Sequence, residues 1–146
     1  MNGHLLDTNV LIALFWPSHA QHDPALKWFA RHRSDGWATC PLTEAGFVRI
    51  VSNPAFSRDA VTPREAVNVL TANTIAKDHE FWQDDLPFAE AVAYAGIRLV
   101  GHQQATDAYL LGLALHRGGV LATLDDRIAA LTDPRSAQRK AIETVG

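Results

Sequence analysis

The feature that most constrains this chain is a carboxylate inside an apolar opening segment. Positions 3–14 read GHLLDTNVLIAL, and Asp7 is the only Asp, Glu, Lys or Arg among them. The pattern predicts a short buried strand at 5–6 and the apolar start of a helix at 10–15. Asp7 then lies at the carboxyl end of the first strand, where open α/β sheets bind ligands. Because an unpaired carboxylate among apolar residues is costly, we expect a partner for Asp7, such as a metal ion.

Length and composition favour one globular domain over residues 1–146. Hydrophobic residues make up 47% of the chain and charged residues 20%, and no linker rich in Gly, Ser or Pro divides it. The single cysteine, Cys40, rules out an intramolecular disulfide. The apolar N-terminal run lacks a basic segment before it, is interrupted by Asp7, and no other stretch is long enough to span a bilayer. We therefore expect a cytoplasmic protein.

The net charge argues against a nucleic-acid partner only at first sight. The chain carries 13 basic and 16 acidic residues, for a net charge of −3, whereas nucleic-acid-binding proteins usually show a basic surface. If four of the acids are metal ligands, 12 remain against 13 basic residues, and the rest of the surface is about neutral. Net charge therefore does not decide between RNA and a small substrate.

Strand and helix patterns alternate along the chain. Strands are predicted at 5–6, 37–40, 79–84, 120–124 and 141–145. Helices are predicted at 10–15, 23–32, 41–52, 62–75, 86–95, 106–117 and 126–131, with a loop at 96–104. This alternation predicts an α/β sandwich with a parallel sheet.

Several of these helices carry recognisable ends. Asp23, Thr62 and Thr106 are predicted as N-caps, and Glu65 follows Thr62 by three residues in a capping-box arrangement. The buried face of the helix at 23–32 is predicted to consist of Leu26, Phe29 and Ala30.

Four acids occupy comparable places in this scheme. Asp7 and Asp125 end strands, whereas Glu44 and Asp107 lie in the first turns of helices. In a parallel sheet these positions share one edge, where four carboxylates would repel one another unless cations neutralise them. Oxygen ligands without a Cys/His cluster suit Mg²⁺ or Mn²⁺. One or two such ions could activate water and stabilise in-line attack on a phosphodiester.

The same segments carry a family resemblance. The sequences DTN at 7–9, TE at 43–44, TDAYL at 106–110 and ATLD at 122–125 resemble, in order, the acidic motifs of PIN domains. The whole chain is similar to VapC-type toxins, the ribonuclease half of bacterial type II toxin–antitoxin pairs. The segments 79–82 and 101–104 also resemble sequences common in one branch of these toxins.

The resemblance implies a fold, an activity and partners. The fold is a three-layer α/β/α sandwich with a central five-stranded parallel sheet. The activity is that of an Mg²⁺-dependent endoribonuclease, with Mn²⁺ as a possible substitute. Water activated by the metal attacks phosphorus and leaves 5′-phosphate and 3′-hydroxyl ends. The implied partners are an RNA substrate, a silencing antitoxin protein and a second copy of the chain in a homodimer.

The resemblance also assigns roles to residues. The catalytic and metal-binding acids are Asp7, Glu44, Asp107 and Asp125. Asn9 and Thr123 match supporting polar positions. Asp125 is preferred over the adjacent Asp126 because it completes Thr-x-Asp at the strand end, while Asp126 could cap a helix or share the metal site.

Structural explanations stand beside these assignments. Any one of the aspartates could merely cap the following helix, and Glu44 could complement a helix dipole. Convergence of four acids on one edge is harder to explain in that way. The arginines Arg98, Arg117 and Arg127 could contact RNA or simply be surface residues.

Two other classes of function can be compared with the same residues. A phosphotransfer domain also gathers acids at strand ends, but a dehalogenase-type phosphatase needs Asp-x-Asp where this chain has Asp7, Thr8 and Asn9. A receiver domain needs a lysine at a late strand end, and Lys140 precedes its predicted strand. A non-catalytic binding module with the same fold is disfavoured because all four acids are present.

Overall fold

A five-stranded parallel sheet lies at the centre of the molecule. The computed structural model describes residues 3–97, 99 and 101–146. The strands are β1 (His4–Leu6), β2 (Trp37–Thr39), β3 (His79–Phe81), β4 (Val120–Thr123) and β5 (Ile142–Thr144). Their order across the sheet is β3-β2-β1-β4-β5, and every neighbouring pair is parallel. β1 and β4 are therefore adjacent although more than a hundred residues separate them, and Leu6 pairs with Ala122.

Helices cover both faces of this sheet. They are α1 (Thr8–Phe15), α2 (His22–His32), α3 (Pro41–Val51), α4 (Pro63–Thr74), α5 (Phe88–Ala95), α6 (Ala105–His116), α7 (Arg127–Ala130) and α8 (Ala137–Lys140), with 3₁₀ turns at Arg33–Asp35 and His102–Gln104. Helices α1 to α4 share an apolar core with Leu6 and Ala122, while α5 and α6 pack on Leu5 and Leu121. This arrangement confirms the predicted three-layer α/β/α sandwich.

The opening segment folds as its pattern predicts. His4, Leu5 and Leu6 are at most 1% exposed, and alternate residues face the two cores. Helix α1 begins immediately after Asp7, whose backbone is extended and whose side chain accepts a hydrogen bond from the Thr8 amide. Strand and helix thus meet at the carboxylate.

Two glycines allow helices to approach closely enough to form this arrangement. A Cβ at Gly46 in α3 would lie 2.7 Å from the Thr8 hydroxyl oxygen at the start of α1. A Cβ at Gly112 in α6 would lie 2.1 Å from the Ala91 carbonyl oxygen in α5. A side chain at either position would push the helices apart, so glycine holds α3 against α1 and α6 against α5.

Two of the predicted N-caps are wrong. Helix α2 begins at His22, with Gln21 rather than Asp23 in the cap position. Helix α6 begins at Ala105 after the 3₁₀ turn, so Thr106 lies inside it. The capping box of Thr62 and Glu65 is confirmed, with hydrogen bonds in both directions.

The predicted buried faces also need correction. Leu26 is 43% exposed and Ala30 is exposed, and the face of α2 that packs on the core is formed by Ala25, Trp28 and Phe29. The predicted third strand, 79–84, forms regular structure only as the shorter β3, and the predicted loop at 96–104 contains a 3₁₀ turn, with positions 98 and 100 outside the described residues. Within the described ranges, no helix combines the length and apolar character needed to cross a membrane.

Candidate active site

Asp7 is fixed at the junction between β1 and β4. Its amide donates to the Ala122 carbonyl at 2.9 Å, which extends the pairing of the two strands. Its carboxylate accepts two hydrogen bonds: Oδ1 from the Thr8 amide at 2.7 Å and Oδ2 from the Thr123 hydroxyl at 2.8 Å. The residue is 8% exposed. A buried carboxylate in a fixed orientation therefore lies at the carboxyl edge of the sheet, where the sequence predicted it.

Thr123 and Asn9 connect Asp7 to the chain that leaves β4. The Thr123 hydroxyl oxygen accepts from the Asp125 amide at 3.1 Å and from the Asn9 side-chain amide at 3.3 Å. The side-chain oxygen of Asn9, Oδ1, accepts from the Leu124 amide at 3.1 Å. Both predicted supporting residues thus hold the end of β4 against the start of α1, which sets the position of Asp125 relative to Asp7.

Asp107 approaches the same edge from the first turn of α6. Burial, followed by the negative charges of Asp7 and Asp125, raises the pKa of its carboxyl to about 6. Burial likewise raises the pKa of Asp7, an effect opposed by its hydrogen bonds from Thr123 and Thr8. Asp7, Asp107 and Asp125 are therefore close enough to repel one another, and we call these three residues the acid centre.

Asp125 differs from its two neighbours because it has a cationic partner. Arg127 donates from Nε to both carboxylate oxygens, at 3.0 and 3.1 Å, and from Nη2 to Oδ2 at 2.8 Å. These bonds lower the pKa of Asp125. The adjacent Asp126 is exposed and occupies the cap position of α7 without a side-chain capping bond. Asp126 thus takes the helix-cap position that was one alternative for it, without a capping bond, while Asp125 is the member of the doublet whose charge acts on Asp7 and Asp107.

Glu44, the fourth predicted acid, has hydrogen-bonding partners of its own. The Thr39 hydroxyl donates to Glu44 Oε2 at 2.6 Å, and the same hydroxyl oxygen lies 2.7 Å from His79 Nε2. Because the Thr39 proton points to Glu44, Nε2 of His79 is the donor in the second bond. Burial lowers the pKa of His79, and the Glu44 charge partly offsets this. Glu44 thus lies at the sheet edge but is held by β2 and β3.

The donor set suits a hard divalent cation. Its atoms are carboxylate oxygens, and the mutual repulsion in the acid centre is what a cation would relieve. Across the described residues, no three His, Cys, Asp or Glu side chains are arranged to enclose a metal ion as they stand. The contacts explain this, because Asp125 faces Arg127 and Glu44 faces Thr39. The chemistry of the site fits such an ion, and enclosing it requires side-chain rotation.

Three residues at this edge were missed or undervalued by sequence reasoning. Thr39 ends β2 and donates to Glu44, as Thr123 ends β4 and donates to Asp7. A threonine at the end of a predicted strand beside an acid was therefore an available signal. His79 gave no such signal, since its contact with Thr39 depends on the pairing of β2 with β3, and the partner of Arg127 is the nearby Asp125.

Of the other arginines that were considered, Arg117 contacts the Gln83 carbonyl at 3.0 Å and Asp85 at 3.3 Å, and Arg98 lies outside the described residues.

Comparison with known proteins gives a consistent result. The PIN domain family model matches residues 4–134. Ribonuclease VapC39 of Mycobacterium tuberculosis is 46% identical over 133 residues, which cover 91% of this chain and 94% of the relative. Ribonuclease VapC38 of the same organism is 42% identical over 131 residues, covering 90% and 91% of the two chains.

Two solved structures share the fold at low sequence identity. VapC20 of Mycobacterium tuberculosis, described as a toxin that cleaves the sarcin-ricin loop, has a TM-score of 0.62 at 16% identity and covers 88% of this chain and 94% of its own. VapBC2 of Rickettsia felis, bound to a promoter DNA fragment, has a TM-score of 0.64 at 12% identity and covers 98% of both chains.

Proposed function

Because the chain belongs to the PIN-domain family, and within it to the VapC ribonucleases, we propose that it is a metal-dependent endoribonuclease toxin. The observation that carries the proposal is the acid centre. Asp7, Asp107 and Asp125 share one sheet edge, and the pKa of Asp107 is raised to about 6 by burial and by its acidic neighbours. Raised pKa values of this kind are typical of functional sites. A bound cation would relieve the repulsion between the carboxylates that causes them.

We assign the cation to Asp7, Asp107 and Asp125, with Glu44 as the fourth acid. Bound there, Mg²⁺ or Mn²⁺ would act as a Lewis acid on the scissile phosphate and make water a stronger nucleophile. Glu44 would keep one carboxylate oxygen on the Thr39 hydroxyl while the other faces the site. Asn9 and Thr123 act as positioning residues, because Thr123 bonds to Asp7 and to the Asp125 amide, and Asn9 bonds to Thr123 and to the Leu124 amide.

The proposed reaction is hydrolysis at phosphorus. A water oxygen forms a bond to phosphorus, the bond from phosphorus to O3′ breaks, and O3′ takes up a proton. The products are a 5′-phosphate and a 3′-hydroxyl. A bound cation would lower the pKa of Asp107 from the value of about 6 that it has without the ion, so we assign its carboxylate to cation binding rather than to proton transfer. The rigid strand and helix around Asp7 keep the acids in register during the reaction.

A silencing antitoxin is part of the proposal. The VapC names of the relatives and the VapB–VapC composition of the Rickettsia felis complex support an antitoxin partner. The homodimer implied by resemblance stays a prediction that oligomer measurements would test.

The test is RNA cleavage by purified protein freed of any antitoxin. Total cellular RNA should be cut with Mg²⁺, should stay intact with EDTA, and should be cut again once Mg²⁺ is restored in excess. End mapping should find 5′-phosphates and 3′-hydroxyls. Cleavage that persists in EDTA would refute metal dependence. Intact RNA in every condition, from a folded protein, would instead favour a non-catalytic binding module.

A further inference from the structure

We propose that Arg127 competes with the divalent cation for Asp125 and, once displaced, contacts an RNA phosphate. In the ion-free protein its guanidinium neutralises Asp125. When a cation binds the acid centre, the guanidinium leaves Asp125 and turns toward the substrate. This inference rests on the proposed metal-dependent function and gives Arg127 a positioning role in it.

The contacts show why Arg127 and a divalent cation compete for the Asp125 carboxylate. Oδ1 accepts from the Arg127 backbone amide at 2.9 Å and from Nε at 3.0 Å, while Oδ2 accepts from Nε at 3.1 Å and from Nη2 at 2.8 Å. Both carboxylate oxygens are therefore engaged by one residue. A cation needs at least one of them, and its charge would also repel the guanidinium that lies beside it.

Exposure makes the displacement feasible. The Arg127 side chain is 82% exposed, whereas that of Asp125 is 24% exposed. Ion pairs with one partner in water are weak, so a divalent ion can replace the arginine. The backbone of Asp125 is held in place because its amide donates to the Thr123 hydroxyl, and the arginine is the partner that can rotate into solvent.

The released guanidinium has a place to go. A small cavity of about 140 Å³ adjoins the acid centre, and the residues that line it include Arg127, Asp107, Gln103 and Gln104. Arg127 already lines this cavity while its guanidinium is bonded to Asp125. A phosphate there would meet a planar fork of donors, the geometry in which arginine binds phosphate. The cavity therefore marks where substrate phosphate and Arg127 would meet.

The first test measures Mn²⁺ binding by electron paramagnetic resonance, on the full chain without RNA. Arg127→Gln should bind Mn²⁺ about twofold to fivefold more tightly than wild type, the range expected for loss of an exposed ion pair. Arg127→Lys keeps the charge but loses the fork, so it should show part of this gain. Arg135→Gln removes the same charge from an exposed residue beyond α7 and should leave Mn²⁺ affinity unchanged.

A double variant separates competition from a general charge effect. If Arg127 acts through Asp125, Arg127→Gln should give no gain in Mn²⁺ affinity when Asp125→Asn is also present. An equal gain in the double variant, or an equal gain for Arg135→Gln, would overturn the inference. Failure of wild type to bind Mn²⁺ would sink the proposed function itself. Normal Mn²⁺ binding with no effect of Arg127→Gln would sink the Arg127 inference alone.

The second test follows a fluorescein-labelled 20-nucleotide RNA of mixed sequence by anisotropy, in Ca²⁺ to slow cleavage and with gels to confirm that the probe is intact. Arg127→Gln should lower the slope of log affinity against log salt by about 0.7, the value for one phosphate contact on a single strand. In EDTA the slope should not change, because Arg127 is then held by Asp125. Equal slopes for wild type and variant in Ca²⁺ would contradict the phosphate contact.

Discussion

Two carboxylate clusters in this molecule use opposite chemistry. In the acid centre, three carboxylates lie close enough for their charges to raise the pKa of Asp107. In a second group, here called the Glu143 cluster, one carboxylate from β5 lies beside an indole N–H donor and two histidine rings. Trp28 Nε1 donates to Glu143 Oε2, and the ring nitrogens of His4 and His32 lie 3.5 and 3.4 Å from the two carboxylate oxygens. The Trp28 and His32 rings are stacked with their centroids 4.6 Å apart.

The difference between the clusters separates a structural site from a functional one. Glu143 has a hydrogen-bond donor inside the fold, the indole N–H of Trp28. Asp7 and Asp107 have raised pKa values because burial and like charges are only partly compensated. A cluster that destabilises its own charged form is stabilised by an external cation, and that stabilisation is the basis of the proposed function.

The largest predicted effect comes from removing one charge from each cluster. Asp7→Asn should lower RNA cleavage by at least about 100-fold, because metal catalysis contributes several kcal/mol to the barrier. Glu143→Gln should leave the cleavage rate within about twofold, since it lies outside the acid centre. Initial rates in saturating Mg²⁺, with circular dichroism to verify folding, would measure both. Similar losses of cleavage in Asp7→Asn and Glu143→Gln would contradict the distinction between a functional acid centre and a structural Glu143 cluster.

The aspartate doublet provides a sharper comparison within the acid centre. Asp125→Asn should reduce cleavage about tenfold or more, because the charge of Asp125 acts on Asp7 and Asp107 in the acid centre. Asp126→Asn should have little effect, since Asp126 is exposed and makes no capping bond. The same initial-rate assay ranks them, and a greater loss for Asp126→Asn would overturn the assignment.

The free energy of unfolding should depend on pH because the Asp107 carboxyl has different pKa values in the folded and unfolded states. Its pKa is about 6 in the fold against 3.8 for the free group, so the folded state binds more protons between those values. Wild type therefore loses stability as pH rises from about 4 to 6, and the loss is complete above 6. Without divalent cations, Asp107→Asn should be about 1 to 2 kcal/mol more stable than wild type at pH 7.5 and equal near pH 4. Urea unfolding measures this, and a destabilised variant at pH 7.5 would contradict it.

A charge-removing substitution in the Glu143 cluster should lower the free energy of unfolding, opposite to the effect of Asp107→Asn, and by a smaller amount. Glu143→Gln replaces a charge-assisted acceptor for Trp28 by a neutral one, so the free energy of unfolding should fall by about 1 kcal/mol. Urea unfolding in the presence and absence of Mg²⁺ should give the same loss, because this cluster does not bind the ion. If the loss in the free energy of unfolding changed with Mg²⁺, the Glu143 cluster would be coupled to ion binding, which would contradict the account.

The sequence allowed the fold and part of the acid centre to be predicted. Buried strands, helix patterns and an isolated charge at Asp7 are local signals, and they led to the correct parallel sheet. Asn9 and Thr123 were identified through resemblance, and their contacts with Asp7 and β4 agree with a supporting position. Buried faces were less predictable. Helix α6 is buried on all sides from Ala108 to Ala114 because it lies between α5 and the sheet. The sequence pattern predicted only one buried face for this helix.

The side-chain partners could not be predicted from sequence. Glu44 was expected to join the other acids, but its contact with Thr39 depends on the end of β2, and the role of His79 depends on the pairing of β2 with β3. The contact between Arg127 and Asp125 is local, yet its meaning depends on Asp7 and Asp107 arriving from distant segments. Motifs locate such acids, and tertiary structure decides which of them remain uncompensated.

The most direct measurement is the number of protons released when Mg²⁺ binds, obtained by titration calorimetry in buffers of different ionisation enthalpy. With the pKa of Asp107 at about 6, binding at pH 6 should release about half a proton from this residue. Release should fall toward zero by pH 8 and should be lost at pH 6 in Asp107→Asn. Absence of Mg²⁺ binding, or binding without proton release at pH 6, would contradict a cation site built on the acid centre.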